Sequence, residues 1–161
     1  MEYSFGPLIC ESSKILILGS LPGVRSLAEG RYYAHPRNLF WPLIYGQWQM
    51  KPPESFDERY RFILEHELAL WDVIGCARRE GSLDGNIRDE RPNDIPSLLR
   101  GHPSLSLILF NGAYAFAKYK KYFGEPDIPY RKLLSTSPAC AGRDRERELM
   151  WRGALSLAGE A

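Results

Sequence analysis

Apolar residues occur along this chain in two patterns, as continuous runs and at helical intervals. The continuous runs are typical of buried strands and occupy residues 14–20, 69–75, 105–112 and 130–136. Helical spacing with start and stop signals predicts helices at residues 39–45, 55–68, 93–101, 113–123 and 143–159. Strands that alternate with helices predict an α/β fold, here a three-layer α/β/α sandwich with a central, mainly parallel four-stranded sheet.

Polar or glycine-containing segments follow each predicted strand. Their sequences are GSLPG (19–23), DVIGCARREGS (72–82), NG (111–112) and STSPACAGR (135–143). In open parallel sheets, ligands bind outside the carboxyl ends of the strands. We therefore expect these segments to form one site at one edge of the sheet. Residues 30–41 follow the first segment closely and are expected at the same edge.

The segment GRYYAHPRNLFW, residues 30–41, mixes aromatic and polar side chains more closely than a core strand or a solvated loop would. Two interpretations fit this mixture. In the first, Tyr33 stacks on a planar ligand, and Asn38 orients a water molecule or a sugar. In the second, Asn38 is the N-cap of the next helix, and Tyr33 is a half-buried core residue. His35 is interpreted as a neutral, hydrogen-bonded structural histidine.

Two further features of this edge also allow a functional or a structural interpretation. Asp72 places a charge within an apolar run, which is costly unless the carboxylate is satisfied or lies at the end of the strand. Gly19 and Gly23 let backbone N–H groups approach a ligand, but the same glycines also suit a simple turn. The turn is not a Walker loop, because no Gly-Lys-Ser/Thr follows it.

Composition limits the classes of protein that remain. The 161 residues fit a single domain, residues 1–161, and we expect a monomer. The net charge of +1 neither requires nor excludes a nucleic-acid partner. The three cysteines are far apart and form no CxxC pair, which argues against a disulfide framework, a zinc site or a four-cysteine iron–sulfur cluster and favours a reducing, cytoplasmic location. We expect no metal and no cofactor. No apolar run is long enough to span a membrane, so no membrane partner is expected.

Together, these motifs resemble those of the uracil-DNA glycosylase superfamily. GSLPG followed by YYAHPRNLFW is similar to the first motif of the mismatch-specific uracil-DNA glycosylases. The segments WDVI, GSLD, FNG and STSPA resemble the hypoxanthine-DNA glycosylase branch, and the likeness covers most of the chain. The resemblance implies a monofunctional DNA glycosylase of base excision repair. Such an enzyme flips a deaminated base, here hypoxanthine, out of DNA and hydrolyses its N-glycosidic bond.

The resemblance also implies roles for individual residues around the base. Asn38 matches the asparagine held responsible for catalysis in the hypoxanthine branch, and Tyr33 matches the aromatic residue that stacks on the flipped base. Asp72 lies near the strand position that reads the base in uracil enzymes. The predicted base-binding set is Leu21, Gly23, Tyr33, Asp72 and Asn111. Leu21 departs from the family pattern, because other branches carry a catalytic Asp or Asn there.

The expected partner is DNA that contains a deaminated base. STSPACAGR resembles the second family motif, which pinches the DNA backbone and fills the hole left in the duplex. The predicted DNA-binding residues are Arg37, Arg79, Ser137 and Arg143. Two alternatives stay open from the sequence. One is a uracil or xanthine glycosylase of the same superfamily, and the other is a non-catalytic DNA- or nucleotide-binding domain, which Leu21 in the first motif allows.

Overall fold

Parallel strands form the centre of the molecule in the computed structural model, which describes residues 1–157. The strands are β1 (Glu2–Tyr3), β2 (Ile15–Gly19), β3 (Leu68–Asp72), β4 (Ile74–Arg78), β5 (Arg88–Pro92), β6 (Leu107–Asn111) and β7 (Tyr130–Leu133). The helices are α1 (Val24–Glu29), α2 (Phe40–Gly46), α3 (Phe56–Glu65), α4 (Ile95–Gly101), α5 (Ala113–Phe123) and α6 (Asp144–Leu155). A short 3₁₀ turn covers Asp84–Asn86.

The central sheet has the strand order β3-β2-β6-β7, and all its neighbouring strands are parallel. Ile15 at the start of β2 pairs with Leu68 on one side and Leu107 on the other. At the far end, Gly19 pairs with Asp72. The carboxyl ends of the strands therefore meet at one edge, and the predicted four-stranded α/β architecture is confirmed.

Alternate residues of the strands bury themselves on opposite faces of the sheet, because successive side chains of a strand point in opposite directions. On one face, Ile15, Ile17 and Leu109 pack against aromatic residues of α2, α3 and α6. On the other face, Leu16, Leu18 and Phe110 pack against α4 and α5. The two cores make three layers and hold the strand ends in fixed positions.

The apolar run at residues 69–75 is two strands, and its prediction as one strand was wrong. β3 ends at Asp72, and the chain turns at Val73 into β4, which belongs to another sheet. The turn stays attached to β2, because the Val73 N–H donates to the Gly19 carbonyl at 2.8 Å and Ile74 N–H to the Ser20 carbonyl at 3.0 Å. Val73 and Ile74 are both apolar and fully buried, so the hydrophobic pattern does not show that one strand ends and another begins there.

The second sheet is antiparallel, has the order β1-β4-β5, and was not predicted. β1 has only two residues, and β5 reads RDERP with almost no burial, so neither strand gives an apolar pattern. This sheet matters for function because the loop between β4 and β5 reaches the carboxyl edge of the parallel sheet. The 3₁₀ turn lies in that loop.

Element boundaries otherwise differ from the predictions by a few residues. β7 ends at Leu133, so residues 134–136 belong to the following loop, and α3 ends at Glu65. The predicted closing helix corresponds to α6, while its positions 158 and 159 lie outside the described residues. Side chains cap two of these helices: Ser55 accepts from the Glu58 N–H at 3.3 Å, and Asp94 accepts from the Ser97 N–H at 3.1 Å. Within residues 1–157, every helix is too short or too polar to cross a membrane.

Candidate active site

A cavity of about 560 Å³ opens at the carboxyl edge of the parallel sheet. That volume lies in the range of small-ligand pockets. Seven of the ten predicted catalytic, base-binding and DNA-binding residues line it, namely Leu21, Gly23, Tyr33, Asn38, Asp72, Asn111 and Ser137. The strand ends and their loops thus bring together side chains that are up to 116 positions apart in the chain, from Leu21 to Ser137.

Asn38 lies at the cavity immediately before α2. Its Oδ1 accepts a hydrogen bond from the Phe40 N–H at 2.9 Å, and its own N–H donates to the His35 carbonyl at 3.0 Å. Leu39, rather than Asn38, occupies the N-cap position. An amide oxygen has two lone pairs, so Oδ1 retains one acceptor site in an orientation set by the helix.

Tyr33 has a constrained backbone and a buried hydroxyl group. Its φ is 53°, in the left-handed region that non-glycine residues rarely adopt. The ring stacks on Phe40 with centroids 4.0 Å apart, and the hydroxyl has no hydrogen-bond partner among residues 1–157. Burial, and then the negative charge of Asp72, raise the pKa of Tyr33 above its ordinary value.

Asp72 is a buried carboxyl group at the floor of the cavity. It is only 4% exposed, and its Oδ2 has no hydrogen-bond partner within the described part of the chain. Burial, reinforced by the charge of Asp84 and opposed by Arg79, raises the pKa of Asp72 from 3.8 to about 7. An unpartnered buried carboxyl oxygen beside a cavity is a group available to a ligand.

Gly19 makes room for this carboxyl group. A Cβ at Gly19 would lie 2.5 Å from Asp72 Oδ1 and 3.1 Å from the Tyr33 hydroxyl. Any larger residue would displace one of the two oxygens. The glycine at the end of β2 therefore allows both polar groups to approach the same point.

Asp84 is a second carboxyl group of the cavity, and it was not among the predicted site residues. It comes from the 3₁₀ turn, and its Oδ1 accepts a hydrogen bond from the Ser20 hydroxyl at 2.7 Å. Burial raises the pKa of Asp84, while Ser20 and Arg79 lower it. The segment GSLD contained this residue, but only the unpredicted sheet places it beside Asp72.

Leu21 and Gly23 occupy the turn after β2. Leu21 is buried in a small apolar cluster with Ile74, Ala77 and Ile87. Gly23 has φ −69° and ψ 171°, which any residue adopts, so the backbone does not require glycine there. The nearest atom to a Cβ at Gly23 would be Ser82 Oγ, 3.3 Å away, and this is the end of an exposed side chain.

Asn111 joins the end of β6 to the loop after β7. Its Nδ2 donates to the Thr136 hydroxyl at 3.0 Å, and its Oδ1 accepts from the Thr136 N–H at 3.0 Å. The side-chain amide retains one N–H that these bonds do not use. Asn111 thus fixes the loop and still presents a donor to the cavity.

The loop at residues 135–143 is held from beneath by Arg147, which was not among the predicted site residues either. This side chain of α6 is 1% exposed. Its guanidinium donates to the Ser135 carbonyl at 2.8 Å and to the Cys140 carbonyl, and it pairs with Asp144 at 2.7 Å. Ser137 is bonded within the loop, where its Oγ accepts from the Ala139 N–H at 3.2 Å. Arg147 lies within the run RDRERE, residues 143–148, and such charged runs are typical of solvated helix faces.

The three arginines predicted to bind DNA have different surroundings. Arg37 is exposed and directly precedes Asn38, which lines the cavity. Arg143 is also exposed, but its guanidinium makes two bonds to Glu146, at 2.9 and 2.6 Å. The Arg79 side chain is 0% exposed, donates to the Pro22 carbonyl and pairs with Glu2 at 3.3 Å. We therefore correct the prediction for Arg79, which holds the turn after β2 from inside and cannot reach a phosphate.

Within residues 1–157, no group of three or more His, Cys, Asp or Glu side chains is arranged to hold a metal ion. The cavity instead combines an aromatic ring, a neutral amide and a buried carboxyl group, from Tyr33, Asn38 and Asp72.

Comparisons with known proteins match this chain over nearly its whole length. The family model of the uracil DNA glycosylase superfamily matches residues 7–155. A hypoxanthine DNA glycosylase of Methanosarcina barkeri (strain Fusaro / DSM 804) is 36% identical over 156 residues, which cover 96% of this chain and 98% of the relative. A protein of the same name from Methanosarcina acetivorans is 33% identical over 152 residues, with 94% and 96% coverage.

A solved structure is also similar. The solution NMR structure of a proposed uracil DNA glycosylase from Methanosarcina acetivorans superimposes with a TM-score of 0.80. It is 31% identical in sequence, and the match covers 98% of each chain. The sequence and the fold therefore point to the same family.

Proposed function

This chain belongs to the uracil DNA glycosylase superfamily, and from that premise we propose that it excises hypoxanthine, a deaminated base, from DNA. It is a DNA glycosylase, and DNA is its partner. The proposal for hypoxanthine rests on two curated relatives of that name. The observation that carries it is the cavity at the strand ends, where Asn38, Tyr33 and Asp72 meet.

The reaction requires a nucleotide to leave the duplex, because its glycosidic bond is out of reach inside the base stack. A cavity of about 560 Å³ with an aromatic wall suits a flipped base. In our proposal the base lies along the Tyr33 ring, which Phe40 holds by stacking at 4.0 Å. The left-handed backbone of Tyr33 fixes the ring before the base arrives.

Asn38 is proposed to position the attacking water. The oxygen of the water bonds to C1′ of the sugar, and the bond from C1′ to the base nitrogen breaks with its electron pair moving to the base. A neutral amide is not a strong base, so the proton of the water passes to the leaving base or to solvent. The Phe40 N–H fixes Asn38 Oδ1 at 2.9 Å, and its second lone pair is available to the water. Such fixed dipoles supply much of the acceleration in enzymes.

Asp72 is proposed to recognise the base. Hypoxanthine presents a carbonyl and an N–H where adenine presents an amino group and a bare nitrogen. The Oδ2 atom of Asp72 has no partner among the described residues and can accept that N–H when the carboxyl is ionised. Adenine would leave a buried carboxylate facing a lone pair, and unpaired buried groups are strongly rejected.

Leu21 stands where other branches carry the residue that activates water. Its side chain is apolar and packs against Ile74, Ala77 and Ile87, so it contributes no polar atom to the reaction. This packing supports the assignment of the chemistry to Asn38. Because Leu21 cannot activate water, the alternative to be tested is a protein that binds the base without cleaving it.

The test is an abasic-site assay on matched duplexes that contain inosine, uracil, xanthosine or adenosine at one position. We expect alkali-labile sites in the inosine duplex and none in the adenosine duplex. Faster cleavage at uracil or xanthosine would change the substrate but not the enzyme class. Tight binding to the inosine duplex without any abasic product would contradict the proposed excision.

A further inference from the structure

His35 lines the active-site cavity, and a hydrogen bond to its ring determines which ring nitrogen carries the proton. The Nδ1 atom of His35 accepts from the Arg37 N–H at 3.1 Å. A backbone N–H can only donate, so Nδ1 is unprotonated in this arrangement and the proton of the neutral ring is on Nε2. The Nε2–H group is therefore the polar group of this half-buried side chain that stays available to a ligand.

The other two histidines of the chain, His66 and His102, carry the proton on the opposite nitrogen. The Nδ1 atom of His66 lies 2.8 Å from the Phe62 carbonyl, and that of His102 lies 2.9 Å from the Leu98 carbonyl. A carbonyl oxygen can only accept, so Nδ1 donates in both rings. Both rings bond to the preceding turn of their own helix, whereas the His35 ring is bonded in a loop at the cavity.

The turn that holds the His35 ring also holds Asn38. The Asn38 N–H donates to the His35 carbonyl at 3.0 Å, and the Asn38 Oδ1 accepts from the Phe40 N–H at 2.9 Å. The bond from the Arg37 N–H fixes the imidazole within the same four residues. The ring is thus ordered before a ligand arrives, and a fixed donor needs little reorganisation during a reaction.

The proposed reaction places negative charge on the leaving base. When the bond from C1′ to N9 of hypoxanthine breaks, its electron pair moves to the base, and the purine spreads this charge to N3 and N7. Asp72, which is proposed to recognise the base in its ionised form, cannot stabilise that charge. A neutral N–H donor aimed at the developing charge lowers the barrier, because the hydrogen bond strengthens as the charge grows.

We propose that His35 is a catalytic residue whose neutral Nε2–H donates a hydrogen bond to a ring nitrogen of the departing purine, N3 or N7. The inference rests on the proposed function, since it needs a purine that leaves through N9. The proton stays on Nε2, the oxygen of water bonds to C1′, and the base leaves with the electron pair and takes up a proton from solvent. Adenine has the same two nitrogens, so this contact speeds departure and leaves the choice of base to Asp72.

Two replacements of His35 separate the donor from the turn. The amide nitrogen of glutamine can take the place of Nε2, so His35→Gln keeps a donor. The amide oxygen of asparagine can take the place of Nδ1, so His35→Asn keeps an acceptor for the Arg37 N–H and loses the donor. His102→Asn is the matched control at the end of α4. Each variant is measured for single-turnover excision of hypoxanthine, for thermal unfolding, and for binding to a duplex that contains uncleavable 2′-fluoroarabinoinosine.

We expect His35→Asn to lower the single-turnover rate by about a hundredfold, the scale of losing one preorganised donor. Its melting temperature and its duplex binding should stay close to those of the wild type, because an intact base gains less from the donor than the departing anion does. His35→Gln should recover most of the rate, and His102→Asn should match the wild type. Equal losses in the two His35 variants, or a near wild-type rate in His35→Asn, would overturn the proposal.

NMR of the imidazole nitrogens tests the same contact without any chemistry. Long-range ¹H–¹⁵N spectra are recorded at about pH 8, where an ordinary imidazole is neutral. We expect the ring that is missing from the His35→Gln spectrum to show the Nε2–H tautomer, and the other two rings to show the Nδ1–H tautomer. The His35 Nε2 signal should shift further with the fluoroarabinoinosine duplex than with the same duplex carrying a tetrahydrofuran abasic-site analogue.

The NMR comparison also separates this inference from the proposed function. If the wild type excises no hypoxanthine, the proposed function fails, and the difference between the two duplexes then decides whether His35 contacts a bound base. A larger shift with the base-containing duplex would still support the contact. An Nδ1–H tautomer for His35, or equal shifts with the two duplexes, would reject it.

Discussion

The side-chain amide of Asn38 is fixed by the helix that follows it. Removing the amide should therefore affect catalysis strongly and folding only slightly. We expect Asn38→Ala to lower single-turnover excision at least about a hundredfold, the scale of losing one preorganised polar group. The lost bond to the Phe40 N–H should cost about 1 kcal/mol of stability, as for a helix cap.

Thermal unfolding is the control for this variant, since a folded protein is needed to interpret its rate. Asn38→Asp keeps an oxygen that can accept from the Phe40 N–H. Its thermal stability, compared with that of Asn38→Ala, therefore measures the structural role of this hydrogen bond. An Asn38→Ala protein that cleaves near the wild-type rate would show that another group holds the water.

Asp72 should make excision depend on pH. Its pKa is about 7, and the proposed recognition uses the ionised form. We expect kcat/KM for an inosine duplex to rise as the pH increases from 6 to 8 and then to level off, whereas Asp72→Asn should lose both activity and this rise. A wild-type profile that falls over the same range would show that the protonated carboxyl is the active form.

The same pKa has an opposite consequence for stability. Burial raises the folded-state pKa above the ordinary value of 3.8, so the folded protein favours the protonated form. Stability from this group is present at pH below 3.8 and is lost as the pH rises through about 7. Relative to the wild type, Asp72→Asn should therefore gain more stability at pH 8 than at pH 4, by a few kcal/mol at about 1.4 kcal/mol per pKa unit.

Gly23 should set the size of base that the cavity accepts. Its φ and ψ suit any residue, so a side chain there tests space rather than backbone strain. We expect Gly23→Tyr to reduce excision of hypoxanthine, a two-ring base, more than tenfold, about the effect of filling a well-packed pocket. Any excision of uracil, a one-ring base, should fall less.

Gly23→Ala is the matched control, because it adds one carbon atom against the exposed Ser82 side chain. It should keep most of the activity. If Gly23→Tyr loses both activities equally while remaining folded, the position does not select between one-ring and two-ring bases.

At the scale of elements, α6 holds the loop at residues 135–143, which is predicted to face the DNA. Arg147 bonds to the Ser135 and Cys140 carbonyls, and its removal would leave both without this donor. We expect Arg147→Met to reduce stability by about 2–3 kcal/mol, the cost of losing bonds to a charged donor. Duplex excision should fall as well. Calorimetry and the abasic-site assay measure the two effects.

Asp144→Ala is the control for Arg147. It removes a partner whose side chain is 79% exposed and leaves both carbonyl bonds in place. An exposed ion pair contributes little to stability, so this variant should remain close to the wild type. A large loss in Asp144→Ala would mean that the ion pair, rather than the carbonyl bonds, holds the loop.

The sequence was sufficient for elements with strong periodicity and insufficient for those without it. The parallel strands and α5 follow from continuous apolar runs and helical spacing. β5 reads RDERP and is exposed, so its pairing with β4 depends on tertiary contacts alone. The residues of the site also divide into those that a local sequence pattern reveals and those that it does not. Tyr33 and Asn38 lie in a dense motif, whereas Asp84 reaches the cavity through the unpredicted sheet. Arg147 lies in a charged run of the sequence, and only the folded loop shows that its side chain is buried.

For the whole molecule, the net charge of +1 cannot by itself attract DNA, so binding should depend on local cations. Arg37 and Arg143 are exposed, and each lies within three positions of a residue that lines the cavity, Asn38 or Cys140. We expect affinity for an inosine duplex to fall with increasing salt, because bound phosphates release counterions. Arg37→Ala and Arg143→Ala should each reduce the slope of log K against log[salt] by about one unit.

Arg100→Ala is the control for the salt dependence. Arg100 lies in the last turn of α4, shortly before the start of β6, and therefore toward the opposite edge of the sheet. For Arg100→Ala, the slope of log K against log[salt] should equal that of the wild type. Binding that does not respond to salt would show that phosphate contacts do not hold the duplex.

The packing of Leu21 also limits how this enzyme can evolve. Its side chain fills a small cluster with Ile74, Ala77 and Ile87, which holds the β4–β5 region against the first turn. A carboxylate placed there would be buried among apolar side chains, at a cost of several kcal/mol. Replacing Leu21 with the acidic residue that other branches carry would therefore require compensating substitutions on or near β4 and β5 first. We therefore expect that Leu21→Asp alone would destabilise the protein and would not move the proposed chemistry from Asn38 to position 21.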